Sequence, residues 1–187
     1  MAYERKRTKK IIIRNTRFIY RTNFAGNPDL NYSQNDTSRN FNIVLDENNP
    51  DAQYGTCMDD MKPMKIDDLV ADGWNIKWTK PDDDGNQTAF VNVTASYRRR
   101  GPQVIKAIGG PSTKIKVDED DIGELDTDFI ENVDYISINA YEWDPGKIKA
   151  YLKDMFVTVE DDPFMREYGA DMADDAAMVD EDEDIPF

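Results

Sequence analysis

The sequence contains no histidine, a single cysteine (Cys57) and no long apolar run among its 187 residues. One cysteine cannot close a disulfide within the chain, and without histidine the usual tetrahedral zinc sites are excluded. No stretch approaches the ~20 apolar residues of a membrane-spanning helix, and the basic first residues lack the apolar segment of a secretory signal. We therefore expect a cytoplasmic protein without a disulfide, a metal, a cofactor or a membrane partner.

The charge is strongly acidic and unevenly distributed. The net charge is −15, and residues 160–187 contain 12 of the 38 acidic residues but only one basic residue. Residues 1–159 therefore hold 26 acidic and 22 basic residues, which is close to balance. Acidic segments with few large apolar residues do not form a core. This predicts a folded domain over residues 1–159 and an acidic, largely disordered tail over residues 160–187.

Basic residues cluster within the predicted domain. Residues 1–24 contain eight Lys and Arg against one acid, Glu4, and a second cluster is "YRRRGPQVIK" at 97–106. A low isoelectric point ordinarily argues against a nucleic-acid partner. Here the acids are concentrated in the tail, so the local charge of the domain allows such a partner.

Most of the domain shows the two-residue periodicity of β-strands. The runs "KKIIIRNTRFIYR", "NFNIVL", "WNIKWTK", "TAFVNVTASYR" and "DYISINAYEW" alternate or are rich in β-branched and aromatic residues. The turn sequences "PDDDGN" and "DPGK" separate strands at hairpin distance. "MKIDDLVADGW" predicts one short helix that ends at Gly73. The fold class is therefore all-β with one short helix, either a small barrel or a sandwich.

The alternation also predicts which side chains point outward. In "TAFVNVTASYR" the alanines and valines share the core face, and Phe90 and Arg98 share the opposite face. In "DYISINAYEW" the isoleucines point inward and Tyr141 and Trp143 point outward. The tryptophans of "WNIKWTK" share one face, which is either core or an exposed platform.

Outward rings next to cations are what single-stranded nucleic acid binding requires, since bases stack on the rings and phosphates pair with the cations. The candidates for stacking are Trp74, Trp78, Phe90, Tyr141 and Trp143. The candidates for phosphate contacts are Arg14, Arg17, Arg21, Lys77, Arg98, Arg99 and Arg100. The alternative is structural: a loop or a second subunit covers the rings, and the cations form an ordinary solvated surface.

Two other classes of function stay open as alternatives. "DEDD" at 118–121 and "DDD" at 82–84 could bind Mg²⁺ in a nuclease, but contiguous acids in turns are usually solvated. An acidic DNA mimic that inhibits a host DNA-binding protein would spread its negative charge over a folded surface, whereas this charge lies in the tail. No catalytic constellation is visible, so we expect a binding protein and not an enzyme.

The last eight residues, "DEDEDIPF", resemble the carboxy-terminal tip of bacterial and phage single-stranded DNA-binding proteins (the SSB family). The domain looks more like the divergent phage-encoded branch of that family. The resemblance implies a five-stranded OB-fold barrel with extended loops, for which "NPDLNYSQNDTS" and "DENNPDAQYGTCMDDMKPM" are candidates. It implies a protein that coats and protects single-stranded DNA (ssDNA), without strong sequence specificity, in DNA replication, recombination and repair in the infected bacterial host.

The same resemblance implies that the tip recruits replication and repair proteins. Phe187 would present a ring and an α-carboxylate to an apolar pocket beside an Arg or Lys, and Pro186 restricts the peptide backbone. The predicted partner-binding residues are Asp180, Glu181, Asp182, Glu183, Asp184, Ile185, Pro186 and Phe187. The sequence leaves a monomer and a homodimer both open.

Overall fold

The structure is a computed structural model that describes residues 9–109 and 113–161. The strands in these ranges are β1 (Lys10–Thr16), β2 (Phe18–Asn23), β3 (Arg39–Leu45), β4 (Gln53–Gly55), β5 (Lys62–Pro63), β6 (Ile76–Trp78), β7 (Ala89–Ala95), β8 (Gln103–Ile108), β9 (Lys114–Val117), β10 (Ile130–Asp144) and β11 (Lys147–Val159). The α-helix α1 spans Ile66–Asp72, and two 3-10 helices span Pro28–Leu30 and Ile122–Asp126. The predicted tail, including its tip, lies outside the described residues except for Glu160 and Asp161.

Five strand segments follow one another around the core. β1 and β2 are separated only by Arg17, so they are two halves of one bent segment. β1 pairs with β10, and β2 pairs with β3. β3 pairs with β7, β7 runs parallel to β11, and β11 pairs with β10. In the described ranges β1 and β2, which stand at the two ends of this order, do not pair with each other. The backbone at Arg17 joins them instead, because the chain continues directly from β1 into β2.

The prediction of an all-β fold with one short helix is confirmed. The resemblance implied a five-stranded OB-fold, which is a partly open Greek-key barrel, and the circuit described above contains five segments. The complete sheet is larger, with eleven strands in the described ranges. Part of the difference arises because residues 46–64, expected as a loop, contribute the short strands β4 and β5 at one edge.

The core lies between the inward faces of these segments. The alanines and valines of β7 are buried, as are Ile136 and Ile138 of β10, as the alternation predicts. Phe24 stacks on Phe41 with ring centroids 4.9 Å apart, and Phe18 contacts both rings edge-on. Burial of these apolar side chains supplies most of the driving force for the fold.

Two left-handed residues flank the bend between β1 and β2. Asn15 has φ 56° and Tyr20 has φ 61°. Asn tolerates this region, but a bulky aromatic residue there is uncommon. The backbone at Tyr20 coincides with a register shift between β2 and β3. It also places the Tyr20 ring edge-on against Phe90, with centroids 5.3 Å apart.

The helix α1 forms where the sequence predicts it. Ile66 and Leu69 are buried, and Gly73 ends the helix in the left-handed region with φ 103°. A Cβ atom at Gly73 would collide with the Gly146 carbonyl, so this position requires glycine. Within the described part of the chain, no helix has the length and apolar character needed to cross a membrane.

Candidate nucleic-acid interface

A groove runs along the outer faces of the parallel strands β7 and β11. It consists of two clefts of about 520 and 440 Å³ that meet at Lys149, and we call it the β7–β11 groove. The first cleft is lined by Gly73, Trp74, Asn75, Lys77, Val91, Asn92, Trp143, Lys147, Ile148, Lys149 and Ala150. The second is lined by Asn35, Asp36, Thr37, Ser38, Arg39, Thr94, Ala95, Ser96, Tyr97, Arg98, Glu119, Lys149 and Tyr151.

The groove is positively charged although the chain is acidic. Among the described residues that line the first cleft there are three lysines and no acid. The second cleft adds Arg39 and Arg98 but also Asp36 and Glu119. The two clefts together therefore carry a formal charge of +3, whereas the whole chain carries −15. A concave basic surface of this kind attracts a polyanion locally.

Aromatic rings lie beside these cations on the hairpin formed by β10 and β11. Trp143 is 59% exposed, and Lys147 Nζ lies 5.2 Å from the centre of its ring system. Tyr141 is 57% exposed and lies opposite Lys149 in the strand pairing, so the two share one face. Tyr151 contacts Tyr141 edge-on with centroids 6.0 Å apart. Exposed rings next to ammonium groups can stack bases and pair with phosphates at the same time.

The floor of the groove combines apolar groups with polar groups that carry no charge. Asn42 of β3 and Asn92 of β7 lie opposite each other, and Asn92 Nδ2 donates a hydrogen bond of 3.1 Å to Asn42 Oδ1. Thr94 lies one position further along the same face of β7, beside Tyr151. These groups offer hydrogen bonds without repelling a phosphate, so the floor is compatible with a bound polynucleotide.

Trp74 belongs to the core, which corrects the prediction that it stacks on bases. It borders the groove but is only 4% exposed. Its Nε1 donates a 2.7 Å hydrogen bond to Tyr54 Oη, which in turn donates to Asp72 Oδ2 at 3.0 Å. Burial raises the pKa of the Tyr54 hydroxyl. A side chain held by such a buried network has no free face for a base.

Phe90 also needs a correction. It lies on the outer face of β7, as the alternation predicts, but it is only 7% exposed. The Tyr20 ring packs against it, and Val44 and Lys77 lie on either side in the strand pairing. Tyr20 is itself exposed and takes the place at the surface that we assigned to Phe90.

The other predicted DNA-binding residues divide between the groove and other surfaces. Lys77, Arg98, Tyr141 and Trp143 lie in the groove or on its rim. Trp78 and Arg17 line a separate cleft, Arg21 lines another that it shares with Arg17, and Arg14 lies over the Tyr135 ring at 5.4 Å. Arg99 and Arg100 are exposed in the loop that follows β7. The structure therefore brings together four of the twelve residues.

The sequence analysis missed Arg39 at the start of β3 and three residues of β11 that line the groove, namely Lys147, Lys149 and Tyr151. The three residues of β11 share one pattern. They alternate with apolar residues in "KIKAYLK", and this pattern places them on the outward face of β11. The alternation in the sequence was therefore sufficient to place these three side chains on the outward face of their strand. What the sequence does not show is that β11 lies beside β7, because this parallel pairing joins segments more than 50 residues apart.

The acidic clusters considered for a nuclease do not form a metal site in the described part of the chain. No group of three or more Asp, Glu, Cys or His side chains suited to a metal ion occurs there. Asp82 instead accepts hydrogen bonds from the backbone N–H groups of Asp84 and Asn86 and so stabilises the turn between β6 and β7. The predicted tip, residues 180–187, lies outside the described residues.

Comparison with known proteins gives one family. A family model described as "Putative phage ssDNA-binding domain" matches residues 1–186, nearly the entire chain. No curated protein and no solved structure matches the chain.

Proposed function

The chain belongs to the phage ssDNA-binding domain family, and from that membership we propose that it coats ssDNA along the β7–β11 groove during phage replication and recombination. The observation that carries the proposed path is the first cleft, where Lys77, Lys149 and an exposed tryptophan meet without an acid among the described lining residues. Lys147 lines the same cleft and is paired with Asp144 at 3.2 Å. The protein would act as a binding protein, and not as an enzyme, in the cytoplasm of the infected host.

Binding would combine stacking with phosphate contacts. Tyr141, Trp143 and Tyr151 would receive bases on their ring faces, and Lys77, Lys147 and Lys149 would pair with phosphates on either side. Every base has a π-face, so stacking tolerates all sequences. The floor of the groove offers a few amide and hydroxyl groups beside apolar ones. We therefore propose weak sequence selectivity, with modest preferences that follow stacking strength.

Comparing the affinity of the protein for single-stranded DNA with its affinity for double-stranded DNA tests this function. We expect the full chain to bind a labelled oligothymidylate with a steep salt dependence and a duplex of the same length much more weakly, because stacked base pairs hide the faces that the rings need. Fluorescence anisotropy of both oligonucleotides over a salt series measures this. Equal affinity for the two, or no binding to either, would reject the proposal.

A pair of lysine substitutions tests the path. Replacing Lys77 and Lys149 with alanine is expected to reduce the slope of log K against log[salt] by about 1.4, because each phosphate neutralised on a single strand contributes about 0.7. Lys62→Ala/Lys65→Ala is the matched control, since it removes the same charge from exposed lysines on β5 and before α1. If the two double variants gave identical slopes, ssDNA would bind to a surface other than the β7–β11 groove.

The acidic tail is proposed to serve two purposes. Its tip, residues 180–187, would bind replication and repair proteins through Phe187 and the acids before it, as the family resemblance implies. Its charge would also compete with ssDNA for the basic groove. The tail would then act as a tethered competitor, whose local concentration is set by its length.

Deletion of residues 170–187 is expected to tighten ssDNA binding, most clearly at low salt. The deleted segment contains eight acids and no basic residue, and salt screens its attraction to the groove. Titrations of the full and truncated chains measure the effect. Phe187→Ala is the control, because it alters the tip without altering the charge, and it should leave ssDNA affinity unchanged. Equal affinity of the full and truncated chains would contradict the competition.

A further inference from the structure

Arg39 lies in the second cleft of the β7–β11 groove and has a fixed orientation. It begins β3, and its guanidinium lies over the Tyr97 ring with Cζ 5.3 Å from the ring centre. Lys149 and Arg98 line the same cleft. Stacking on an aromatic face holds the planar guanidinium in place while its edge stays available for hydrogen bonds.

The contacts of Arg39 with other described residues leave most of its donors without a protein partner. Arg39 Nη1 lies 3.3 Å from Glu119 Oε1, which is longer than the roughly 2.7–2.9 Å of a strong charge-assisted hydrogen bond. Arg39 Nε is buried and has no hydrogen-bond partner among the described residues. A guanidinium has five N–H donors, so a single long contact leaves it poorly satisfied. The Glu119 side chain is 53% exposed.

We propose that Arg39 is a phosphate-binding residue of the groove and that Glu119 masks it until a phosphate of ssDNA displaces the carboxylate. This inference rests on the proposed function. A phosphodiester offers two oxygens to the guanidinium fork and so makes a bidentate contact, which the single long contact with Glu119 does not. Exposed ion pairs contribute little stability, so the exchange has a low cost.

The second acid in this cleft is held in place and does not act as a mask. Asp36 accepts hydrogen bonds from the hydroxyl and the backbone N–H of Ser38. The Ser38 side-chain and backbone hydrogen bonds, with a smaller contribution from Lys149, lower the pKa of the Asp36 carboxyl. Asp36 therefore belongs to the loop before β3, whereas Glu119 makes no other hydrogen bond among the described residues and can move away.

A double-mutant cycle on the full chain tests the exchange. The variants are Glu119→Gln, Arg39→Ala and the two combined, titrated with a labelled oligothymidylate of about 16 nucleotides at low salt. Glu131→Gln is the matched control, because it removes the same charge from an exposed acid outside the groove. Arg39→Gln removes the charge but keeps a long polar side chain, and it replaces Arg39→Ala if the alanine variant does not fold.

Glu119→Gln is expected to bind about two- to fivefold more tightly than the wild type, the factor that corresponds to an exposed ion pair. Glu131→Gln should match the wild type, and Glu119→Gln should have no effect when Arg39 is replaced. Two results would overturn this inference alone, provided that the wild type binds ssDNA. In the first, Glu119→Gln binds no more tightly than the Glu131→Gln control. In the second, Glu119→Gln tightens binding by the same factor whether or not Arg39 is present. A wild type that does not bind would overturn the proposed function as well.

Discussion

Replacing both Tyr141 and Trp143 with alanine is expected to weaken ssDNA binding by at least about 30-fold. Both rings are more than half exposed and lie on the rim of the groove beside lysines. Stacking is worth roughly 1–3 kcal/mol per base, so two rings contribute at least about 2 kcal/mol, which is ~30-fold in affinity. Anisotropy titration of a labelled oligothymidylate measures the loss.

The control for this variant is Phe129→Ala. Phe129 is 70% exposed but lies in the cleft that contains Arg21, away from the groove. Its replacement removes an exposed ring of similar size and should change affinity by less than about twofold. If the Tyr141 and Trp143 double variant bound as tightly as Phe129→Ala, the bases would not stack on the β10–β11 hairpin.

Replacing Trp74 with alanine is expected to lower the free energy of unfolding by about 3–5 kcal/mol, the range for large aromatic residues in a core. The change removes a buried ring and the hydrogen bond to Tyr54. Whole domains are stabilised by only about 5–15 kcal/mol, so this variant is close to unfolding. Urea denaturation followed by circular dichroism measures the difference.

Trp143→Ala is the matched control because it removes the same side chain from an exposed position. Its free energy of unfolding should stay within about 0.5 kcal/mol of the wild type. Trp74→Phe keeps a ring in the core and should retain ssDNA affinity once folded. If Trp74→Ala were stable but no longer bound ssDNA, Trp74 would stack on bases and its assignment to the core would be wrong.

The local pattern of the sequence was sufficient for the strands and their faces. The alternation in β7 and β10 identified the buried valines and isoleucines correctly. The turn sequences around Gly85 and Gly146 marked the β6–β7 and β10–β11 hairpins, and the strands on each side pair as expected. Gly73 marked the end of α1. These features depend on residues that are close together in the chain, so the alternation of side chains and the local turn sequences are enough to identify them.

The errors have a different physical origin. Phe90 does point outward, but the left-handed backbone at Tyr20 brings a second ring over it from a strand about 70 residues away. Trp74 is buried because Tyr54 and the β10–β11 hairpin surround it. Alternation defines the face of a strand, but it does not show what covers that face.

The groove itself depends on long-range pairing. Lys77 of β6 and Asn92 of β7 belong to one local hairpin, but Lys149 of β11 comes beside them only through the parallel pairing of β7 with β11. The family resemblance implied an OB-fold and an ssDNA partner, but it did not identify which outward rings and cations share one surface. The cations that were predicted together as phosphate contacts therefore lie on several surfaces of the domain, and only Lys77 and Arg98 line the groove.

Photochemical crosslinking tests the proposed ssDNA path most directly. An oligonucleotide that carries halogenated uracil, bound to the full chain and irradiated, crosslinks to aromatic side chains stacked on its bases, and mass spectrometry identifies the residue. We expect crosslinks at Trp143, Tyr141 and Tyr151. Crosslinks confined to Trp78 or Phe129, which line other clefts, would contradict the assignment of ssDNA to the β7–β11 groove.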